Sequence, residues 1–587
     1  MIKRAGSCVF LVFVCVAALT LPVFVNAQDA DSPTAPAPQG AQSNPLPVFR
    51  ASSRLVLLDV IVTDRHGQFV PGLQSTDFTV LEDHKPQKIS SFAFNLVPAH
   101  PATYPPIALP PHQYTNFSFS KPETDPPVTV VLLDMLNTSV IDQAYARTQM
   151  IRFLGTLPSG RPVALFVLTS ELRMIQGFSG DSGTIAAAAK NLLRYQSQLL
   201  SPEIQPEGIE AIGPIDRGTA RMGRSPQLSS QSLNQAMRNA NVAQDSFQEL
   251  QRMKLTLGAL GALAQAVAGY PGRKNLIWLS AEFPIAFGPD FARFGEFGNS
   301  INAVQRRQNP QIRDLAAEAP PIQETAALLA AARMAVYPID VRGQVLLPPG
   351  PNPRTTAVWD THDAMNDIAR ETGGRAFYGT NDLKVAMSRS VQQGSTYYTI
   401  AYSPTNRDWN GRYRKVEVKA VTPGKELNYR RGYYALQERG LARDKAEVAM
   451  TAALQLSVPD FTGLLLKIQV LPPDAEHKAV RIDYAVDAHD VNFSDATDQR
   501  KLGSVDFAVS AWDKEFKLAG HKVDTMEMTL RPNAYEQVMH TGLPFHQELE
   551  LKPGTYTLRL GTLDRNSRKI GSLSASITVP ETLPSTQ

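Results

Sequence analysis

The amino-acid sequence predicts a multidomain protein. A doubly wound, Rossmann-like α/β domain is inserted in, or flanked by, a β-sandwich and is followed by a second, immunoglobulin-like β-sandwich. Three observations carry this prediction. Between residues 128 and 393, apolar runs of strand length alternate with segments of helix length, the pattern of a parallel sheet covered on both faces. On either side, residues 50–97 and 394–436 hold short runs of strand character, too few in each segment to bury a core alone. Beyond residue 461, short strands recur at regular intervals with turn residues between them.

The N-terminus speaks to compartment. Lys3 and Arg4 precede an apolar run from Cys8 to Val25, and Val25-Asn26-Ala27 offers a small-residue cleavage site, so residues 1–27 read as a secretory signal peptide. The run is also about long enough to stay as an N-terminal membrane anchor, with Pro22 favouring cleavage. The expected location is therefore secreted or periplasmic. Cys8 and Cys15 are the only cysteines, so a chain starting near Gln28 has no disulfide, no cysteine nucleophile and no cysteine-ligated zinc. Without Lys3 and Arg4 the chain carries 56 basic against 55 acidic residues, and no basic stripe points to nucleic acid.

Residues 28–49 are rich in Pro, Ala, Ser and Gln and read as a solvated, disordered linker. Residues 98–127 hold nine prolines and read as a second extended tether. Between them, Leu55–Val62, Phe78–Glu82 and Ile89–Phe94 are strands, with Asp64-Arg65-His66-Gly67 as a turn. Tyr397–Tyr402 and Lys415–Lys419, around the Asn410-Gly411 turn, are the strands expected to complete this unit.

In the α/β region, strands are predicted over 128–134, 163–168, 275–280 and 334–341, and helices over about 140–156, 184–199, 246–269, 322–333 and 361–372. Gly373-Gly374 stops the last helix. Residues 201–244, rich in Gln, Asn, Ser, Arg and Gly, read as a mobile surface insertion. Leu250–Val267 is apolar on more than one face, which fits a central helix on the sheet; Arg252 and Lys254 speak against a membrane span.

The run Val128–Thr138, VTVVLLDMLNT, ends in Asp134 and Thr138. Open α/β sheets place functional groups at the carboxyl ends of their strands, so Asp134 stands in a site-forming position. A carboxylate and a hydroxyl four residues apart could hold Mg2+, which takes oxygen ligands. The same residue types also cap helices, and a helix starts near Ser139. Asn137 could supply a carbonyl oxygen or a cap, the cap being favoured, and it is counted with Asp340 and Arg342 on the rim expected to bind a partner. Asp340 and Arg342 in PIDVRG end another strand on the same expected rim, as recognition groups or, more simply, as an ion pair ordering a loop.

At this point the chain resembles a von Willebrand factor type A domain. VTVVLLDMLNTS resembles the first strand and metal loop, RPVALFVLTSELRMIQGFSGD the second strand and the short antiparallel strand after it, and KNLIWLSAEFP the strand leading to the third metal loop. MAVYPIDVRG and MNDIARETGGRAFY are similar to the last strands and the helix between them. Residues 50–435 as a whole resemble the VWFA-related proteins of acidobacteria. The resemblance implies a metal-ion-dependent adhesion site with Asp134, Thr138 and Thr184 as ligands, but Leu136 stands where a serine belongs and Ala281 where an aspartate belongs. Glu282 is a possible substitute. The implied site is thus degenerate, with weak or absent Mg2+.

Residues 437–460 are expected to form a helical linker, and 461–580 the second sandwich, with Tyr556, Leu558 and Leu560 on its buried face. Enzyme signals are sparse. Gly180-Asp181-Ser182-Gly183 imitates a serine-protease loop but sits in an α/β pattern, no metal-protease, P-loop or esterase motif occurs, and the ten histidines are scattered singly. The expectation is a protein–protein interaction module of the cell envelope, adhesion-like in type, with a metal-free envelope scaffold as the alternative and a hydrolase as the less favoured one.

Overall fold

The computed structural model describes residues 55–96, 109–117, 127–157, 160–190, 192, 230–285, 319–345, 353–436, 443–456, 458–496 and 498–581. All of them fall within one compact unit, Ser53–Gln587. Residues 1–27, expected as a signal peptide, residues 28–49, expected as a linker, and residues 201–229 of the expected insertion lie outside the described residues.

The chain is mixed α/β with several antiparallel sheets. It opens with β1 (Val56–Thr63), β2 (Phe78–Glu82), β3 (Lys85–Gln87) and β4 (Ile89–Asn95). A short strand, β5 (Gln113–Thr115), follows in the proline-rich segment. This differs from the extended solvated tether expected there. Its extended backbone pairs with a strand of the C-terminal half, and Asn116 fixes it: Nδ2 donates to the carbonyls of Phe461 and Leu464, both at 2.7 Å, while Oδ1 accepts from the Leu466 amide. Proline favours the extended geometry such pairing needs.

Then comes the α/β core: β6 (Val128–Asp134), α1 (Val140–Leu154), β7 (Val163–Leu168), β8 (Leu172–Ser179), α2 (Ser182–Lys190), α3 (Ser230–Val267), β9 (Lys274–Ser280), α4 (Ala319–Ala331), β10 (Met334–Asp340), α5 (Pro353–Thr372) and α6 (Leu383–Gln393). The sheet order is β10-β9-β6-β7-β8, parallel except for β8 at the edge. β6 is the central strand, and every residue of it is buried. The continuous apolar run is explained by its two covered faces: Val130 and Leu132 pack towards α3, α4 and α5, while Val131 and Leu133 pack towards α1, α2 and α6.

Two local readings need correction. Residues 230–244, expected in a mobile insertion, form the first turns of α3, because Ala, Gln, Met and Arg are good helix formers even without an apolar stripe. Helix α6 was not anticipated, although Asp382 caps it by accepting from the Val385 amide.

The next strands are β11 (Tyr397–Tyr402), β12 (Tyr413–Ala420), β13 (Glu426–Asn428) and β14 (Gly432–Tyr434). They interleave with the N-terminal ones, giving one sheet of order β13-β1-β11-β4 and another of order β14-β12-β2-β3. Val56 faces Tyr402 in register and Val416 faces Glu82, so residues over 300 positions apart share one core.

Helix α7 (Arg443–Ala453) leads to β15 (Leu466–Leu471), β16 (Val480–Val486), β17 (Ser494–Asp495), β18 (Lys501–Trp512), β19 (Leu518–Leu530), α8 (Pro532–Thr541), β20 (Leu543–Leu549), β21 (Gly554–Asp564) and β22 (Ile570–Val579). One sheet runs β20-β16-β15-β5 and the other β17-β18-β21-β22, with β19 against β18. Tyr556, Leu558 and Leu560 are all in the core between them. Ala266 of α3 packs with Met450, Leu454 and Phe461, and a Cβ at Gly269 would meet the Thr462 carbonyl at 2.1 Å, so this packing requires glycine there.

Candidate functional site at the crest of the sheet

The carboxyl ends of β6, β9 and β10 lie side by side: Leu133 is in register with Leu279, and Ser280 with Asp340. Asp134 therefore stands at the centre of the crest, beside Ser280. It is fully buried. Its Oδ1 accepts from the Asn137 amide at 3.0 Å, and its Oδ2 accepts from Asn137 Nδ2 (2.8 Å), Trp278 Nε1 (3.0 Å) and Ser280 Oγ (3.1 Å). Burial pushes this carboxyl above the ordinary aspartate range, and the donors partly offset it.

The neighbouring residues are committed in the same way. Thr138 Oγ1 accepts from the Ala281 amide at 3.1 Å, and Asn137 Nδ2 also reaches Thr256 Oγ1 of α3 at 2.9 Å. Neither residue caps α1. That role falls to Ser139, whose Oγ accepts from the Asp142 amide, so the favoured cap at Asn137 is corrected: its side chain turns inward to tie the loop to α3. Thr184 lies exposed at the start of α2, with Oγ1 donating to Asp181 Oδ2 at 2.5 Å. Asp181 also accepts from the Gly183 and Thr184 amides, and the Thr184 hydroxyl, followed by these amides, holds its carboxyl below the ordinary range. The Gly-Asp-Ser-Gly motif thus forms a helix start. Glu282 faces outward and pairs with Arg252 at 2.8 Å.

Asn137 and Asp340, expected on an exposed partner-binding rim, are both buried, because each satisfies a loop from inside. Arg342 clamps Asp340 through Nε on Oδ1 (3.0 Å) and Nη2 on Oδ2 (2.8 Å), and His362 Nε2 sits 3.2 Å from Oδ2, stacked on Tyr378. Burial pushes the Asp340 carboxyl up, and the bonds from His362 and Arg342 outweigh it, leaving it below the ordinary range. Trp278, Thr256 and His362 were missed in sequence. Only Trp278 carried a signal, since an indole N–H inside a buried strand needs an acceptor.

These residues do not fit the Mg2+ ion that the sequence resemblance implies. Three donors converge on Asp134 Oδ2, an oxygen with two lone pairs, and the indole among them can only donate. Thr184 is engaged with Asp181, the Leu136 side chain carries no ligand atom, and Asn137 Oδ1 is the one buried side-chain oxygen of the loop without a partner among the described residues. A single amide oxygen is a poor match for a cation that seeks several oxygen ligands.

The rim outside this buried network carries exposed apolar side chains among its polar ones. Val140 and Ile141 open α1 at 67% and 85% exposure, and Val345, Trp359, Tyr378 and Val385 are exposed as well. The segments that carry Ile141 and Val345 are linked across the crest: Tyr145, one turn after Ile141, donates to the Asn381 carbonyl, and Asn381 Oδ1 accepts from the Gln344 amide beside Val345.

No protein-family model matches the chain, and no curated protein matches it in sequence. Among solved structures it is similar to an aerotolerance-related membrane protein of Bacteroides fragilis (10% identity, 46% of this chain and 99% of that one, TM-score 0.22). It is also similar to the ArnB paralog VWA2 of Sulfolobus acidocaldarius (8%, 86% and 76%, 0.19). A third is the type V pili tip protein Mfa5 of Porphyromonas gingivalis (8%, 68% and 75%, 0.24). TM-scores of this size carry no functional assignment.

Proposed function

We propose that this chain is an exported protein-docking module with a type A-like domain inserted in a β-sandwich, and that its crest binds a protein partner without a metal ion. The observation that carries the reading is the contrast at the head of α1. Asp134 and Thr138 are turned inward onto protein donors, while Val140 and Ile141, two and three residues past Thr138, are solvent-facing in the described structure. Contiguous exposed apolar side chains on a rim are the usual mark of an interaction surface. Export rests on the N-terminal segment with Lys3, Arg4 and the apolar run after them. Among the described residues, no helix is long and apolar enough to cross a membrane.

Two measurements test it. Melting of the purified protein with EDTA and with Mg2+ should give the same midpoint; a rise of several degrees in Mg2+ that disappears in Asp134→Ala would replace this reading with the metal-dependent one. A photocrosslinking residue at position 141 should capture one protein in the producing cells, and a third exchange, Trp359→Ala, should weaken that capture. A crosslinker at position 141 that captures nothing would favour the scaffold reading.

A further inference from the structure

The opposite end of the α/β sheet, where β9 and β10 begin, meets the strands of the first sandwich in a charged cavity of about 40 Å3. Three guanidinium groups line it: Arg273 just before β9, Arg333 just before β10 and Arg430 just before β14. Two carboxyl groups share it, Asp59 of β1 and Glu371 of α5. Asp59 is consumed by Arg333, which reaches it through both Nε (3.1 Å) and Nη2. Glu371 accepts from the Tyr413 phenol, and burial pushes its carboxyl up to about 7, so it supplies less than a full negative charge near neutrality.

Arg273 and Arg430 are left without a carboxylate in the described structure. Arg273 is 2% exposed; its Nη2 is spent on the Gly373 carbonyl (2.5 Å) and Tyr337 Oη (3.3 Å), while its buried Nε has no partner among the described residues. Arg430 donates through Nη2 to the Leu57 carbonyl at 3.1 Å, and its buried Nε is likewise unpartnered. Arg273 is buried and Arg430 half-buried; a guanidinium withdrawn from water is costly unless it meets acceptors, and its fixed fork suits the paired oxygens of carboxylate and phosphate. The cavity has room for roughly three water molecules at about 10–15 Å3 each, the size of a small anion.

We propose that this cavity binds a small oxyanion of the carboxylate or phosphate class, held by Arg273 and Arg430. Gly432 belongs to the same design: a Cβ there would meet the Tyr413 ring at 2.2 Å, so glycine lets that ring close one wall.

The test is melting of the full purified chain in phosphate, in acetate and in chloride at matched ionic strength and pH. Phosphate or acetate should raise the midpoint by several degrees over chloride, and the anion that does so names the source. Because phosphate also stabilises proteins by exclusion from their surface, the variants decide. Arg430→Gln should abolish the rise. Ala330→Met, which fills the cavity from α4 and keeps every arginine, should abolish it too, and calorimetric titration of the effective anion should show at least tenfold weaker binding to each variant. Equal midpoints in the three salts, or a rise that persists in both variants, would overturn the proposal.

Discussion

The indole Nε1 of Trp278 donates to Oδ2 of Asp134 across 3.0 Å, with both side chains sealed from solvent. The bond joins the central strand of the α/β sheet to its neighbour β9 at the end where a ligand would otherwise approach. It converts a carboxylate in a site-forming position into an internal fastener of the crest.

Trp278→Phe removes the donor together with three ring atoms of a fully buried side chain, so its own cost includes a cavity and the coupling to Asp134 is what isolates the bond. A buried carboxylate short of one hydrogen bond should cost about 1.5–3 kcal/mol. In Asp134→Asn the amide offers the indole a neutral acceptor, so the two changes should be coupled by about 1 kcal/mol or more in a double-mutant cycle read by urea unfolding. Strict additivity would show that Trp278 and Asp134 do not act on each other.

Glu371 gives a pH-dependent prediction with a definite sign. Its carboxyl is raised from an ordinary value near 4.5 to about 7, chiefly by burial. The group therefore adds stability that is fully present below pH 4.5 and is lost as pH rises through about 7. Glu371→Gln stays neutral throughout, so it should be less stable than, or equal to, the parent at low pH and more stable above pH 7, by at most about 3 kcal/mol at 1.36 kcal/mol per unit. The stability difference between the two proteins, followed from pH 4.5 to 8, should slope in that direction; a flat difference would place the Glu371 carboxyl in water.

Much of this architecture was legible in the chain. The boundaries of β6 and β7 coincide with the predicted ones because both strands are buried on two faces, and a continuous apolar run admits few other readings. The partnership of residues 56–95 with 397–434 was legible from need, as neither strand set could bury a core. What sequence could not supply were pairings set by tertiary geometry. Asp134 reads identically whether it faces solvent or Trp278, and nothing near Arg333 announces Asp59, 274 residues earlier. The first turns of α3 and the strand at Gln113–Thr115 were misread for a related reason: composition reports solubility well and backbone conformation poorly where no apolar period is present.

Asn116 should matter far more than a residue in a proline-rich connector normally does. Its side chain makes three buried hydrogen bonds to Phe461, Leu464 and Leu466, which anchor β5 to the second sandwich. Asn116→Ala strips those groups at once and should cost about 2–4 kcal/mol, taking roughly 1–3 kcal/mol for a buried group left unsatisfied and partial compensation by water. Hydrogen exchange should accelerate at Leu466–Val470 with little change at β6. Unaltered protection in that strand would mean that β5 adds nothing to the sheet.

Tyr398 makes the joint core of the first sandwich testable as a whole. It lies on β11 and is fully buried, yet its ring contacts come from the N-terminal segment: Phe94 at 5.2 Å, Phe69 and Phe92 at 5.5 Å, and Phe78 at 5.7 Å between centroids. Its hydroxyl donates to the Val70 carbonyl at 2.8 Å and accepts from the Leu73 amide at 3.2 Å. Tyr398→Ala should then cost about 3–5 kcal/mol, the range for losing a buried aromatic ring. Removing residues 55–96 deletes every one of these partners and two strands of each sheet, so residues 397–434 should become rapidly cleavable by protease. The α/β sheet carries its own cores on both faces and should remain resistant under the same digestion. If residues 397–434 instead stay protected in the truncated chain, their strands have a core of their own, and the shared sandwich described by the register of Val56 with Tyr402 does not govern their stability.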